Sequence, residues 1–349
     1  LPPISIPTGI SVMIGRKSGL SWNKMRGSPQ QGFSLPPPTS PSLFEQAHVA
    51  TGMESELGDI RDLAAITSSM VDFNPDILIH MAAQPLVRLS YREPVETYAT
   101  NVMGTVHVFE AARKCANLKT IVNITTDKCY ENKEWDWPYR ESDALGGSDP
   151  YSSSKACAEL VTDAYRRSFF NHSQGVAVAT ARAGNVIGGG DVSPERLIPN
   201  ILSAWGDGFP IELRNPNAVR PWQYVLEPLR GYLDLAEHLV QFGQRYASSW
   251  NFGPRNEDAQ SVLNVVKAMA QSFSGVSDWT LNTADQPHEA QLLQLDCSKA
   301  ASQLKWQPQM NLSGAIEEVM SWHRHWKAGS NMPEFMCHRI TAYQENAIQ

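Results

Sequence analysis

Two neighbouring stretches of the sequence carry residue types that could perform acid–base chemistry on one ligand. Residues 125–128 read Thr-Thr-Asp-Lys, and Tyr151 stands four positions before Lys155. Residues four apart on a helix project from one face, so the Lys155 ammonium would favour the Tyr151 phenolate and lower its pKa from a reference value of about 10. The pattern predicts a general base working beside a hydroxyl, a carboxylate and an amine.

Each stretch also has a purely structural interpretation. Tyr and Lys at this spacing are common on solvated helix faces, and Thr126 with Asp127 is typical of a helix cap or a turn. The order of the predicted elements favours a functional role for these residues, because Thr126 follows a buried strand. Polar residues at the carboxyl end of a buried parallel strand lie where open α/β sheets bind ligands.

The elements predicted around these motifs form a parallel, doubly wound α/β sheet. Continuous apolar runs predict buried strands within residues 76–84, 119–127 and 175–188, and helices are predicted from Pro94 to Cys115 and from Pro150 onward. Strands that alternate with helices imply right-handed crossovers between parallel strands. In contrast, the first 32 residues show neither a clean strand period nor an amphipathic helix.

Beyond Arg182 the composition of the sequence changes, and predicted loops rich in Gly, Pro and Asn become frequent. Helices are predicted around residues 194–206, 226–243, 261–274 and 312–328. We therefore expect a larger sheet domain over residues 1–181 and a smaller mixed α/β domain over residues 182–349, with some of the latter's elements returning to the first domain.

Composition narrows the functional class. The 349 residues are 42% hydrophobic and 19% charged, which is typical of a globular protein, and no apolar run reaches the length of a membrane span. The net charge of -7 and the lack of a basic tract argue against nucleic-acid binding. Five scattered cysteines predict neither a metal site nor a disulfide framework, and no export signal is evident, so we expect a cytoplasmic protein.

Longer stretches resemble a known family. Tyr-x-x-x-Lys with the upstream threonine, "HMAAQ", "GDIRD" and "RAGNVIGGGD" are similar to the extended short-chain dehydrogenase/reductases. "AAQPLVRLSYREPVETYATNVMGT", "NITTDKCYENKEWDWPYRE", "RPWQYVLEPL" and "LDCSKAASQLKWQP" resemble the bacterial CDP-glucose 4,6-dehydratases, from about residue 33 to the end. The resemblance implies a Rossmann-like NAD domain, a hydro-lyase of deoxysugar and lipopolysaccharide O-antigen biosynthesis, and a homodimer or homotetramer.

The resemblance also implies roles in an internal redox cycle on CDP-glucose. Tyr151, supported by Lys155, takes the proton of the sugar 4-hydroxyl while hydride leaves C4 for NAD+, and Thr126 donates a hydrogen bond to the same oxygen. Lys128 then removes the C5 proton, Asp127 protonates the departing 6-hydroxyl, and hydride returns to C6. Other nucleotide-sugar dehydratases usually carry Asp-Glu at the acid–base pair, and Lys128 needs a depressed pKa to act as a base.

Binding roles follow from the same resemblance. Arginines suit the phosphates of a cofactor or a sugar nucleotide, because guanidinium groups bind phosphate bidentately. The structural alternatives are close packing for the alanines, turns for the asparagines, and a surface arginine stacked on Trp222 for Arg220. The expected cofactor contacts are Asp59, Ile60, Ala82, Ala83, Gln84, Asn101, Thr125, Tyr151, Lys155 and Arg182, and the expected substrate contacts are Gln84, Thr126, Asn185 and Arg220.

The sequence departs from the family at its start. A dinucleotide domain normally opens with a strand, a Thr-Gly-x-x-Gly-x-x-Gly turn and a helix, because glycine lets backbone amides approach the pyrophosphate. Thr8, Gly9, Gly15 and Gly19 have the wrong spacing. An altered reading frame over residues 1–32 would explain this, and weak NAD binding would result. Two alternatives remain open, namely an NAD-dependent epimerase of the same fold and a catalytically impaired sugar-nucleotide-binding protein.

Overall fold

The fold was analysed in a computed structural model that describes residues 11–14, 29–171, 175–275, 277–282 and 291–346. The glycines considered above, Gly9, Gly15 and Gly19, lie outside the described residues. The strands are β1 (Ser11–Ile14), β2 (Gln30–Ser34), β3 (Glu54–Leu57), β4 (Ile77–His80), β5 (Thr120–Ile124), β6 (Ala177–Ala183), β7 (Asn185–Ile187), β8 (Ile211–Leu213), β9 (Val219–Tyr224), β10 (Ser249–Phe252), β11 (Ala259–Ser261) and β12 (Trp279–Leu281).

The helices alternate with the strands through the first half of the chain and dominate the second. They are α1 (Leu43–Gln46), α2 (Leu63–Phe73), α3 (Val87–Arg92), α4 (Pro94–Tyr98), α5 (Gly104–Ala112), α6 (Pro150–Tyr165), α7 (Leu197–Gly206), α8 (Leu226–Phe242), α9 (Val262–Ser272), α10 (Leu312–Lys327) and α11 (Met332–Asn346). Short 3-10 turns cover Val49–Gly52, Asp127–Cys129, Gly243–Tyr246 and Asn256–Asp258, and π turns cover Ala99–Met103, Arg166–Phe170 and Ala300–Leu304.

The central sheet has seven strands in the order β10-β6-β5-β4-β1-β2-β3. Strands β4, β5, β6 and β10 pair in parallel, and β2 pairs in parallel with β3. Strand β1 runs antiparallel to both of its neighbours, β2 and β4. The predicted parallel, doubly wound sheet is therefore correct except at β1, a strand that the sequence pattern of the first 32 residues did not predict.

Two cores cover the two faces of this sheet. Along β4, Leu78 packs with Phe33 and helices α2 and α5, whereas Ile77 and Ile79 pack on the opposite face with α8. Successive side chains of a strand point to opposite faces, so a continuous apolar run is what burial on both faces requires. Helices therefore cover the sheet on both sides.

The helix predicted from Pro94 to Cys115 is interrupted. Helix α4 passes into the π turn Ala99–Met103 and continues as α5 from Gly104. A Cβ on Gly104 would lie 2.4 Å from the Ile60 side chain, so glycine permits the close approach of this helix to the turn after β3. Helix α6 begins at the predicted Pro150, and the Asp149 side chain caps it by accepting from the Ser152 amide.

The second half of the chain builds a smaller layer beside the carboxyl edge of the sheet. Strands β7, β9 and β11 form one small sheet, β8 and β12 form another, and both pack with α7, α9, α10 and α11 around a separate core. The chain does not stay there, because β10 returns to the seven-stranded sheet beside β6. Within the described part of the chain, no helix has the combined length and apolarity that crossing a bilayer requires.

Candidate active site

A cavity of about 780 Å³ lies between the carboxyl ends of the parallel strands and the smaller layer. Its walls come from the ends of β4, β5 and β6, from the start of α6, and from β7, β9 and the last two helices. Residues proposed from the sequence that line it are Ala83, Thr125, Thr126, Lys128, Tyr151, Lys155, Asn185 and Arg220. The two chemical stretches therefore meet at one cavity.

The turn after β5 holds Thr126, Asp127 and Lys128 in a small hydrogen-bonded group. Thr126 Oγ1 accepts from the Lys128 amide at 3.4 Å and donates to Asp127 Oδ1 at 2.9 Å. Lys128 Nζ lies 3.2 Å from the same Asp127 oxygen. The threonine thus caps the turn, as the structural interpretation expected, and it also faces the cavity.

Asp127 and Lys128 differ in exposure. The Asp127 side chain is fully buried, whereas 29% of the Lys128 side chain is exposed and lines the cavity. Asp127 does not line the cavity, and its Oδ2 is buried without a hydrogen-bond partner among the described residues. The lysine is therefore the member of the pair that faces the cavity, and the carboxylate lies behind it.

Tyr151 and Lys155 are held at the start of α6. The Tyr151 amide donates to Ser90 Oγ at 3.1 Å, and Lys155 Nζ donates to the Ile124 carbonyl at 3.2 Å, at the end of β5. Burial lowers the pKa of Lys155 to about 8, and the negative charge of Glu159 opposes this change. Lys155 thus links the start of α6 to the end of β5.

The pKa of Tyr151 moves against the sequence expectation. Burial raises it to about 12, the interaction with the Thr126 hydroxyl opposes the rise, and the Asp127 charge adds to it. The predicted lowering by Lys155 is wrong for the protein alone, because removing the phenolate from water outweighs the Thr126 hydrogen bond and the Arg196 charge, which lower the pKa. Any group that ionises Tyr151 near neutral pH has to supply further positive charge.

Gln84 and Asn101 are hydrogen-bonded to each other and do not face the cavity. The Gln84 backbone amide donates to Asn101 Oδ1 at 2.8 Å. Asn101 Nδ2 donates to the Gln84 backbone carbonyl at 3.0 Å and to Ser154 Oγ at 2.9 Å. Neither side chain lines the cavity, although Ala83 beside them does. Ala82 is packed in the core. Asn101 therefore fastens the loop after β4 to helix α6.

The expected phosphate contact of Arg182 is wrong in this structure. Its guanidinium is 2% exposed and forms a bidentate pair with Glu159 at 2.9 and 2.8 Å. It also donates to the Tyr130 hydroxyl at 2.8 Å and does not line the cavity. A buried arginine that is paired with a carboxylate and does not reach the cavity is not placed to bind a phosphate there.

Asp59 and Ile60 lie away from the cavity, beyond the end of β3. Asp59 binds the Arg61 guanidinium at 2.8 and 2.6 Å, and this hydrogen bonding lowers the pKa of the carboxyl. Ile60 is 4% exposed and packs in the core. By contrast, Asn185 lines the cavity with a buried Oδ1 that has no partner among the described residues. Arg220 lines it while donating to the Val219 carbonyl at 2.9 Å.

Sequence reasoning missed several charged residues of the cavity wall. They are Arg88, Lys133, Glu195, Arg196, Arg214 and Glu318. These residues share no motif and no common spacing in the sequence. Arg214 directly follows β8 and Arg196 directly precedes α7, so the fold rather than a motif brings them to the cavity.

The loop after β7 closes the cavity against the last helices. A Cβ on Gly189 would lie 2.1 Å from the Trp322 ring, and Gly190 has a φ of +80° beside Leu43. Glycine is required at Gly189 by the close approach and at Gly190 by the left-handed backbone as well. Trp322, from α10, thereby supports the loop from below.

Comparison with known proteins agrees with this geometry. A family model described as GDP-mannose 4,6 dehydratase matches residues 41–319. A CDP-glucose 4,6-dehydratase from Salmonella typhimurium is 49% identical over 315 residues, which cover 89% of this chain and 88% of that protein. A dTDP-glucose 4,6-dehydratase from the same organism is 25% identical over 291 residues, which cover 77% of this chain and 78% of that protein.

Solved structures show the same fold at lower identity. DesIV, a dTDP-glucose 4,6-dehydratase from Streptomyces venezuelae, has a TM-score of 0.69 and 24% identity, with 80% of this chain and 82% of that chain covered. A UDP-glucose 4-epimerase from Thermotoga maritima has a TM-score of 0.68 and 19% identity, with 78% and 85% covered. The chain belongs to the GDP-mannose 4,6 dehydratase family, within the extended short-chain dehydrogenase/reductases.

Proposed function

We propose that this chain is an NAD-dependent CDP-glucose 4,6-dehydratase, a hydro-lyase that converts CDP-glucose to CDP-4-keto-6-deoxyglucose. The observation that carries the proposal is the Asp127–Lys128 ion pair, because its lysine lines the same cavity as Tyr151 and Lys155. An epimerase needs the tyrosine and lysine but no acid and base beyond them. The identity of 49% to a CDP-glucose 4,6-dehydratase supports the same substrate.

The described part of the cavity fits the nicotinamide end of NAD. Ala83 offers a small side chain at the end of β4, and Asn185 presents a buried carbonyl oxygen that lacks a partner among the described residues. Thr125, Tyr151 and Lys155 would hold the nicotinamide riboside beside the sugar. Bound NAD+ supplies reversible oxidation at C4 and positive charge next to Tyr151.

The protein's own groups then move protons at defined atoms. Tyr151 Oη accepts the proton of the sugar 4-hydroxyl, and the Thr126 hydroxyl donates a hydrogen bond to the same oxygen. Lys128 Nζ and Asp127 Oδ1 are 3.2 Å apart, and transfer of the ammonium proton to the carboxylate within this pair gives a neutral amine and a carboxylic acid. Once C4 is a ketone, the C5 proton is acidic and the Lys128 amine, at the cavity wall, removes it. The Asp127 carboxylic acid protonates the departing 6-hydroxyl, which leaves as water. This last role requires the buried carboxylate to turn toward the sugar when substrate binds.

The nucleotide part of the substrate lies along the smaller layer in this proposal. Arg214 begins the loop between β8 and β9, Arg220 lies near the start of β9, and both line the cavity. Two neighbouring guanidinium groups suit the two phosphates of a nucleoside diphosphate sugar.

Self-association into a homodimer or homotetramer is also part of the proposal. Large apolar side chains are exposed on α4, the following π turn and α6, including Val95 at 77%, Met103 at 48% and Leu160 at 58%. An apolar surface on neighbouring helices is typical of an interface between copies of one chain. The scattered cysteines support a reducing, cytoplasmic setting.

The deciding experiment is incubation of the protein and NAD with CDP-, dTDP- or GDP-glucose, followed by the ultraviolet absorbance of a 4-keto sugar in alkali. We expect the absorbance with CDP-glucose and much less with the other two. Conversion to a C4 epimer without ketone would favour an epimerase. Tight binding of CDP-glucose without either product, with added NAD at saturation, would favour a binding protein.

A further inference from the structure

A buried charge pair lies directly beneath the cavity, outside the groups assigned above. Glu159 and Arg182 are each 2% exposed at their side chains and are bound bidentately. Glu159 Oε1 also accepts from Thr125 Oγ1 at 2.5 Å, and Oε2 accepts from Thr180 Oγ1 at 2.8 Å. The carboxylate therefore joins the ends of β5 and β6 to helix α6.

Stability alone does not explain this arrangement. Moving two charges out of water is costly, and a well-packed apolar pair of similar volume is often equally stable or more so. The hydrogen-bonding groups of Thr125, Thr180 and Arg182 around Glu159 come from strands that border the cavity. The location of the pair indicates that it acts on the neighbouring residues that line the cavity.

Two of those residues depend on Glu159. Thr125 immediately precedes Thr126 and holds the strand end against α6 through Glu159. Lys155 stands four residues before Glu159, so the two side chains share one face of α6. The Lys155 ammonium is itself bound to the Ile124 carbonyl at the end of the same strand.

We propose that Glu159, clamped by Arg182, is a positioning residue that keeps Lys155 in its ammonium form and fixes the end of β5 against α6. The inference rests on the proposed function for its consequence in catalysis, because Lys155 supports Tyr151 there. Its physical content, the charge state of one lysine, does not depend on which sugar nucleotide is bound.

The other titratable groups that face Lys155 are neutral, so they do not supply a second negative charge. His80 at the end of β4 is buried, and its pKa falls to about 3 through burial and the Lys155 charge, so this ring is neutral. Burial raises the pKa of the Cys129 thiol well above its usual range and that of Tyr151 to about 12. Glu159 is thus the permanent negative charge acting on Lys155 among the described residues, and burial alone would lower the Lys155 pKa further.

The test measures the Lys155 titration directly, by NMR of protein labelled at lysine Cε and assigned with Lys155→Met. In Glu159→Gln we expect the titration midpoint to fall by about one pH unit, and in Arg182→Gln to rise by a smaller amount, because the carboxylate is then uncompensated. Thr180→Val removes one hydrogen bond to the same carboxylate without changing any charge, and should leave the midpoint in place.

If Glu159 only stabilised the fold, Glu159→Gln and Arg182→Gln would not shift the Lys155 midpoint in opposite directions. Unchanged midpoints, or shifts of the same sign in both charge variants, would overturn the proposal. If single variants do not fold, the double variant Glu159→Gln/Arg182→Gln leaves no unpaired buried charge and carries the test. Its midpoint should still fall, since Glu159 is one helical turn from Lys155 and acts on its charge, whereas Arg182 is not among the charges that directly shift the Lys155 pKa. An unchanged midpoint in that variant contradicts the proposal.

Catalysis provides the second readout. Lys155 is charged below its pKa and loses that charge as the pH rises through it, so Lys155 sets the alkaline limit of kcat/KM for CDP-glucose. The limit should move to lower pH in Glu159→Gln and to higher pH in Arg182→Gln. Failure of the wild type to form ketone would refute the proposed function, whereas the NMR midpoints would still decide this inference.

Discussion

Tyr151 illustrates how burial and charge compete at a single side chain. The structure buries its phenol and places an aspartate nearby, and its pKa rises to about 12. A group that is to accept a proton near neutral pH must therefore be ionised by charges that arrive with the ligand. Lys155, which is bound to the Ile124 carbonyl, does not lower the Tyr151 pKa in the protein alone.

Replacement of Tyr151 by Phe should remove the base for the 4-hydroxyl. We expect ketone formation from CDP-glucose to fall by about 10²- to 10⁴-fold, the usual contribution of a positioned general base. Tyr165→Phe is the matched control, because this tyrosine lies on the same helix and donates to Glu110 instead of entering the cavity. Equal activity of the two variants would contradict the assignment.

Lys128 allows the two chemical stages to be separated. In Lys128→Met, oxidation at C4 should persist while elimination slows by about 10²- to 10⁴-fold. Borodeuteride reduction of a quenched single turnover would then label C4 of an intact hexose instead of a 6-deoxy sugar. Lys133→Met, which changes another lysine of the cavity wall, should leave the elimination rate close to that of the wild type.

Single residues show which parts of the site were predictable from sequence. Tyr151, Lys155, Thr126 and Lys128 carry local spacing, and they do line one cavity. Arg182 was assigned wrongly because its partner, Glu159, is 23 positions away in the sequence and meets it only when β6 packs on α6. A long-range ion pair of this kind leaves no local pattern.

Among the elements, the glycine loop after β7 depends on the packing of α10. Trp322 occupies the space that a side chain at Gly189 would need, since a Cβ there would lie 2.1 Å from its ring. The loop forms the part of the cavity wall next to Asn185. A shift of this loop would therefore change the space for a ligand as well as the packing of the core.

Gly189→Ala should destabilise the protein by about 1 to 3 kcal/mol, because either the loop or the tryptophan must move. Urea unfolding measures this change. Gly206→Ala is the control, since no atom lies within 4 Å of its Cβ position at the end of α7, and it should be neutral or slightly stabilising. A loss of stability as large in the control would show that the Trp322 contact is not the cause.

Helices and strands were predictable where burial imposes a period. The apolar runs of β4, β5 and β6 and the proline that opens α6 lie where the sequence placed them. The π turn Ala99–Met103 was not predictable, because it interrupts an apolar period that remains helical on average. The antiparallel direction of β1 was likewise not evident, since pairing direction depends on tertiary contacts.

For the whole molecule, the spacing of the glycines near the start of the sequence bears on cofactor retention. The family's glycine turn brings backbone amides to the pyrophosphate, and the spacing of Gly9, Gly15 and Gly19 does not reproduce it. We expect the purified protein to carry well under one NAD per chain. Chromatography of the nucleotides released by heat measures the ratio, and a stoichiometric amount would contradict this expectation.

The return of β10 to the central sheet makes the two halves of the chain interdependent. Residues 249–252 come from beyond the boundary predicted between residues 181 and 182, yet they cover the edge of β6 and place Trp250 in the main core. That boundary falls inside β6, so a gene split just after β6 would be the cleaner cut and would yield a first fragment with an exposed parallel strand and a missing tryptophan. Such fragments should aggregate when made separately and should complement each other only when synthesised together.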